Sequence, residues 1–268
     1  MLLDDKIVLV TGAGSGIGRA LAIELSQRGA QLLLVGRRAE ALEETRKALS
    51  RPHRGECIAA DLTEQEGREQ ILRAVATHGR LDLLVNNAGV VVSGPLAAQD
   101  DEAVRQMFAT NLLAPISLTR LLLPLLRAGT QSRIVNVGSM FGDIAFPYFA
   151  AYSATKFGLR GWSEALRREI APLGIGVTYA APRGTRTPAA ASFAALADAF
   201  AMRLDPPEQV ARQIVNAVAK DARDVYPRGI ERLFVLLQRL VPGVIDNALG
   251  KQLTKAVARL SPLFTPVP

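Results

Sequence analysis

Between Lys6 and Ala180 the chain sets six short, nearly continuous apolar runs between longer segments of helical periodicity, and that alternation admits few folds. The runs occupy 6–11 (KIVLVT), 31–36 (QLLLVG), 56–60 (ECIAA), 82–86 (DLLVN), 133–138 (RIVNVG) and 175–180 (IGVTYA). Strands apolar on both faces belong to a parallel sheet covered on both sides. Parallel neighbours need crossover connections, and the intervening segments supply them. One helix starts at Ile17 and repeats apolar residues at Leu21 and Leu25; another begins after Asp100 and runs through Leu122. The spacing predicts an α/β, doubly wound parallel sheet in one domain over residues 1–227. The remainder, 228–268, reads as a separate helical extension.

Composition narrows the class further. Apolar residues make up 49% and charged residues 21% of 268, which supports a folded core rather than disorder. The lone Cys57 can close no internal disulfide, which points to a reducing compartment. With only His53 and His78 beside it, no metal site is expected. Asp4, Asp5 and Lys6 follow Met1-Leu2-Leu3 directly, so no secretory leader is read. No uncharged apolar run reaches the ~20 residues of a membrane span. The expectation is a cytoplasmic protein. The net charge of +7, carried by 26 Arg and 6 Lys, suits anionic partners, although it equally reflects Arg-rich and Ala-rich residue usage.

The first strand ends in Thr11-Gly12-Ala13-Gly14-Ser15-Gly16-Ile17-Gly18 and a helix follows. Glycines at such a turn let backbone amides approach a pyrophosphate, which the positive helix end also favours. After the second strand, an acidic residue would accept hydrogen bonds from a free ribose 2′-hydroxyl. Here Gly36 is followed by Arg37 and Arg38. A guanidinium fork suits a phosphate dianion, so NADP(H) is preferred to NAD(H), with Arg37 the stronger contact and Arg38 the solvated helper. The plainer alternative is two arginines that merely open a helix. Asp61, after the third strand, is placed for the adenine edge.

Tyr152 and Lys156 stand four apart on one helical face. A phenol with pKa near 10 is a poor acid–base group at neutral pH. A nearby ammonium, together with the positive ring of an oxidised nicotinamide, lowers that value. Such a pair is usually structural unless other groups join it. Ser139 lies thirteen residues upstream at the end of the fifth strand, and Asn111 sits inside a helix it does not favour. Asn86-Asn87-Ala88-Gly89 closes the fourth strand at the sheet edge where ligands bind.

These residues, in this order and spacing over 5–226, resemble the short-chain dehydrogenase/reductase superfamily in its compact single-domain branch. The resemblance implies a Rossmann-type sheet of about seven strands and hydride transfer between nicotinamide C4 and a carbinol or carbonyl carbon. It makes Tyr152 the acid in reduction and the base in oxidation. Lys156 would tune that group and hold the nicotinamide ribose, Ser139 would hydrogen-bond the substrate oxygen, and Asn111 would hold a relay water. It also carries cofactor contacts onto Thr11, Gly12, Ser15, Gly16, Ile17, Gly18, Asp61, Leu62, Asn87, Ala88, Gly89, Pro182, Thr185 and Thr187. Family members form homodimers or homotetramers.

One position departs from the family. Where Pro-Gly is usual after the sixth strand, the chain has Pro182-Arg183-Gly184-Thr185-Arg186-Thr187. Thr187 fits the carboxamide role. Arg183 is expected to turn outward, the sharper alternative being that Arg183 or Arg186 meets an anionic group.

Val91, Val92, Met140, Phe141, Ile144, Phe146 and Phe149 predict an apolar pocket for a lipophilic carbonyl or alcohol. A 3-oxoacyl thioester is the rival substrate. The rival of another class is a catalytically idle nucleotide-binding regulator or scaffold. Residues 188–206 occupy the place of a substrate lid. The extension carries two helical patterns split at Pro242-Gly243, the second repeating at Ile245, Leu249, Leu253, Val257 and Leu260. Its first reading is a cover for the pocket or a subunit contact. The second is peripheral contact with an anionic membrane, through Arg232, Arg239, Lys251 and Lys255. Nucleic acid is not expected, because no basic-aromatic cluster appears.

Overall fold

The computed structural model of the chain describes residues 2–260. Seven strands form one parallel sheet: β1 (Ile7–Thr11), β2 (Gln31–Gly36), β3 (Gly55–Ala59), β4 (Leu83–Asn86), β5 (Arg133–Val137), β6 (Gly176–Ala180) and β7 (Asp224–Val225). Their order is β3-β2-β1-β4-β5-β6-β7, so the winding reverses between β1 and β4. In such sheets the crevice beyond the carboxyl ends at that reversal is the ligand site. The six apolar runs return as β1 to β6 within a residue at each boundary. The seventh strand is two residues long and carries no periodicity to read.

Ten helices make the crossovers and the outer shell among the described residues. They are α1 (Gly16–Gln27), α2 (Ala39–Lys47), α3 (Gln65–Ala76), α4 (Asp101–Phe108), α5 (Ala114–Ala128), α6 (Ala150–Ile170), α7 (Ala194–Ala199), α8 (Pro207–Ala219), α9 (Glu231–Leu240) and α10 (Pro242–Leu260). Leu21 and Leu25 of α1 join Val210, Ile214 and Val218 of α8 on one face of the sheet. Ile71 and Val75 of α3, Leu118, Leu122 and Leu126 of α5, and Leu166 and Ile170 of α6 cover the other. Each face is therefore sealed by apolar helix stripes, as nearly continuous apolar strands demand.

Asp100 caps α4 by accepting a hydrogen bond from the Ala103 amide at 2.8 Å. Between α4 and α5 the ladder widens into one π-helical turn, Ala109–Leu113, that contains Asn111. By length and hydropathy alone a window within Asp101–Ala128 could cross a membrane, although Arg105, Arg120 and Arg127 leave no long uncharged apolar run in it. Those apolar residues are there because one side of the helix packs on the sheet.

The extension folds back onto the carboxyl end of the sheet. Ala256 and Leu260 of α10 pack with Leu196 and Ala199 of α7 and with Phe200. Gln252 Nε2 donates to the Phe200 carbonyl at 2.7 Å. Val235 of α9 is buried with Met140, Leu159 and Tyr179. Val257, expected on the inner stripe, is instead exposed, because Ala256 takes the inward position. Residues 261–268 of the expected extension lie outside the described residues.

Candidate active site

A cleft of about 860 Å³ runs along the carboxyl ends of the strands. It is lined by Gly12, Ser15, Gly16, Ile17 and Gly18, by Arg37, Arg38, Asp61 and Leu62, by Asn87, Ala88 and Gly89, and by Ser139, Tyr152, Lys156, Pro182, Thr185 and Thr187. Of the residues expected at the site, Thr11 and Asn111 stand behind this wall. Thr11 Oγ1 accepts the Asn87 and Ala88 amides at 2.9 and 3.0 Å. Asn87 Nδ2 in turn donates to the Thr11 carbonyl at 2.8 Å. These bonds hold the loops after β1 and β4 together across the winding reversal.

The glycine spacing has a steric cause. A Cβ on Gly18 would run into the Gly12 carbonyl oxygen, and Gly12 itself has φ +66°. Only with both positions bare can α1 start close enough to β1 to aim its amide end into the cleft. That cradle fits a dinucleotide pyrophosphate. Farther along the rim, Arg37 and Arg38 are exposed where β2 ends. Against the penalty of partial burial, hydrogen bonds from the Thr63 amide and hydroxyl and the charge of Arg37 hold the Asp61 carboxyl below its usual range. The cleft therefore offers a cationic pair at this end and a fixed acceptor behind it.

At the opposite end, α6 begins directly after Phe149 and places Tyr152 and Lys156 one turn apart, facing in. The Ser139 hydroxyl stands beside the Tyr152 phenol, favouring its ionised form, and accepts the Phe141 amide at 3.1 Å, which fixes its direction. Lys156 Nζ donates to the Val137 carbonyl at 3.2 Å and lies 5.6 Å from the centre of the Tyr152 ring. Asn111 reaches the same point from the π turn. Its amide donates to Val90 O at 2.9 Å and to Thr155 Oγ1 at 3.2 Å, and its oxygen accepts the Val90 amide at 2.8 Å. The wide turn therefore braces the loop after β4 against α6, a common use of π bulges.

The electrostatics differ from the sequence expectation of an acidified phenol. Burial, only partly offset by Ser139, pushes Tyr152 up to about 12. Burial alone pulls the Lys156 ammonium down to about 8. Enclosure disfavours both charged forms, and it outweighs the nearby Lys156 ammonium at the phenol.

Arg183 neither turns outward nor stands free for an external anion. Its guanidinium donates to Asp205 at 2.8 Å and to Glu231 at the start of α9. All three side chains are largely enclosed. Thr185 pairs with Asp205 through an isolated parallel bridge, so the loop after β6, the end of the lid segment and the extension meet at one guanidinium. Arg183→Met leaves two enclosed carboxylates without their partner. It is expected to cost about 3 kcal/mol of stability, and to raise KM for bulky substrates more than it lowers kcat. Thermal melts and steady-state kinetics check this, and an unchanged melting temperature excludes the clamp.

The wall of the cleft beside Tyr152 is aromatic. Phe141 stacks on Phe146 at 4.9 Å between centroids, and Phe146 meets Phe200 edge-on at 5.0 Å. Val91, Met140, Ile144 and Phe149 line the cleft as expected from the sequence, whereas Val92 does not. Phe193, Phe200 and Met202 of segment 188–206 and Phe234, Ile245 and Leu249 of the extension also line it; the sequence marks these segments, with Ile245 and Leu249 on the apolar stripe, but tertiary folding decides which of their side chains face the cleft. Tyr179 is another residue the sequence gave no reason to select. Its ring is fully buried beneath Gly138 and Gly142, where any Cβ would collide with it, and its hydroxyl meets the backbone of Ser139. Arg160 lies 5.0 Å over that ring and pairs with Asp143 at 3.1 Å. This buried group supports the loop that carries Ser139. Among the described residues, no cluster of metal-ligating side chains occurs.

The comparisons with known proteins agree with this geometry. The family model described as short chain dehydrogenase matches residues 6–196. A putative oxidoreductase, SadH, from Mycobacterium tuberculosis is 33% identical over 95% of both chains. The crystal structure of a short chain dehydrogenase from Burkholderia cenocepacia in complex with NADP superposes with a TM-score of 0.78 at 25% identity, covering 93% of this chain and 99% of that one. A 3-ketoacyl-(acyl-carrier-protein) reductase from Brucella melitensis complexed with NADH gives 0.75 at 27% identity over 84% of this chain and 98% of that one. The glycine cradle, the Tyr152–Lys156 turn and these matches together make the chain a member of the short-chain dehydrogenase/reductase family, an oxidoreductase that works with a nicotinamide cofactor.

Proposed function

We propose that the protein is an NADP(H)-dependent oxidoreductase that interconverts a lipophilic ketone and its secondary alcohol. The observation that carries this reading is the Tyr152 phenol, one helical turn from Lys156 and beside Ser139 in an aromatic cleft whose far rim presents Arg37 and Arg38. Bound nicotinamide supplies or accepts the hydride. Tyr152 holds the proton exchanged with the substrate oxygen, and Ser139 orients that oxygen by a second hydrogen bond. Lys156, on the same helical face, holds ribose hydroxyls and lends positive charge to the phenol when protonated. Asn111 keeps Val90 and Thr155 in register, so the path from Lys156 toward solvent stays fixed. The aromatic wall excludes water and favours an apolar substrate body.

The cofactor preference rests on charge. Arg37 and Arg38 occupy the place where an acidic residue would repel a 2′-phosphate, and charge-assisted contacts to phosphate are strong. A thioester of an acyl carrier is the second reading, supported by the similarity to the Brucella reductase. Both are tested in one panel of free ketones, alcohols and 3-oxoacyl thioesters, each assayed with NADPH and NADH. Free lipophilic ketones with NADPH are expected to be turned over best. In Arg37→Ala, NADPH affinity is expected to fall about 10- to 100-fold while NADH affinity holds within about twofold. Equal loss for both cofactors would remove Arg37 from the 2′-phosphate, and preferred turnover of thioesters would favour the second reading.

A further inference from the structure

We propose that the outward face of α9, with the elbow that joins it to α10, is a docking surface for an anionic lipid bilayer. On α9, Val235 alone is buried and anchors the helix to the domain. The opposite side carries Leu233, Leu236 and Leu240, which are 52%, 50% and 69% exposed. Ile230 continues this stripe before the helix, and Val241 and Val244 continue it around the 118° bend into α10. Single exposed leucines are ordinary, but an apolar stripe along one side of a helix marks an interaction surface.

Charge selects the occupant. Residues 228–260 contain six basic side chains (Arg228, Arg232, Arg239, Lys251, Lys255 and Arg259) and two acidic ones. One of the acids, Glu231, is engaged by Arg183, leaving Asp246 as the other. Arg232 and Arg239 lie where the apolar stripe meets the body of the protein, Arg232 over the Tyr226 ring and Arg239 beside Asp143. Lys251 and Lys255 follow Val244 by seven and eleven residues, so they share its side of α10. A second copy of the chain docked through this face about a two-fold axis would set the same basic border against itself. Anionic headgroups complement that border, and acyl chains complement the leucines. Phe234 belongs both to this surface and to the cleft lining, so the surface adjoins the cleft mouth.

The test is co-sedimentation of the full chain with phosphatidylglycerol–phosphatidylcholine vesicles, pure phosphatidylcholine vesicles serving as the comparison. Binding to the mixed vesicles is expected, weakened by salt, and at least about tenfold weaker on the neutral ones. The Leu236→Ser/Leu240→Ser variant is expected to bind about a hundredfold more weakly. Both leucines are exposed and outside the cleft, so the variant's circular dichroism and its turnover of a water-soluble ketone should match the parent's. Failure of the parent chain to sediment, or equal binding to both vesicle types, overturns the proposal. So does a parent oligomer that the substitution dissociates in sedimentation velocity, because the face would then be a contact between copies.

Discussion

Tyr152→Phe is expected to lower kcat about a thousandfold while NADPH affinity stays within about threefold of the parent. The substitution removes one oxygen and leaves the ring, so its contacts with Phe141 and Phe149 persist. What disappears is the hydroxyl proposed to hold the transferred proton beside Ser139. Fluorescence titration of NADPH separates this outcome from collapse of the cleft. Turnover near the parent level would exclude Tyr152 as the acid–base group.

Lys156→Met is expected to split activity from stability. Turnover should fall at least about a hundredfold, because the ammonium one helical turn from the phenol is lost. Stability at pH 7 should rise by about 1–3 kcal/mol, because an ammonium whose value is drawn from 10.5 to about 8 by burial opposes folding. The sign follows from proton counts. Between about 8 and 10.5 the unfolded chain holds a proton that the folded one has released, so the parent gains stability as pH rises through that interval. Below it the penalty is complete. The advantage of the methionine variant should therefore be largest at neutral pH and gone above about 10.5. The raised Tyr152 value acts in the opposite direction at still higher pH, but it is common to both proteins and cancels in the difference. Thermal melts of parent and variant at two pH values read this directly, and a destabilised variant at pH 7 would mean the buried ammonium is well compensated.

How far the sequence led depends on the range of the interaction concerned. β1 to β6 were legible because a strand covered on both faces must be apolar along its length, and the phosphate cradle because Gly12 and Gly18 answer a steric demand set within seven residues. Tyr152 and Lys156 could be paired from the helical repeat alone. β7 could not, since two residues held by β6 leave no pattern. The π turn at Asn111 was equally hidden. It arises from the bonds Asn111 makes to Val90 and Thr155, which lie 21 and 44 residues away. Arg183 shows the same limit from the other side. Its departure from glycine was plain, but its partners Asp205 and Glu231 become neighbours only when the extension folds back. The raised phenol value likewise depends on enclosure by the lid and α10, which no local spacing reports.

The roof contributed by Phe234, Ile245 and Leu249 has a consequence for how such a protein diversifies. The groups proposed to react are rooted in strand ends and α6, whereas much of the shape of the cleft belongs to helices appended after the sheet is complete. Mutational drift in the appended helices can reshape what is admitted while the chemistry beneath stays intact. Chimaeras that exchange only this C-terminal segment between relatives would transfer selectivity without transferring stereochemical course.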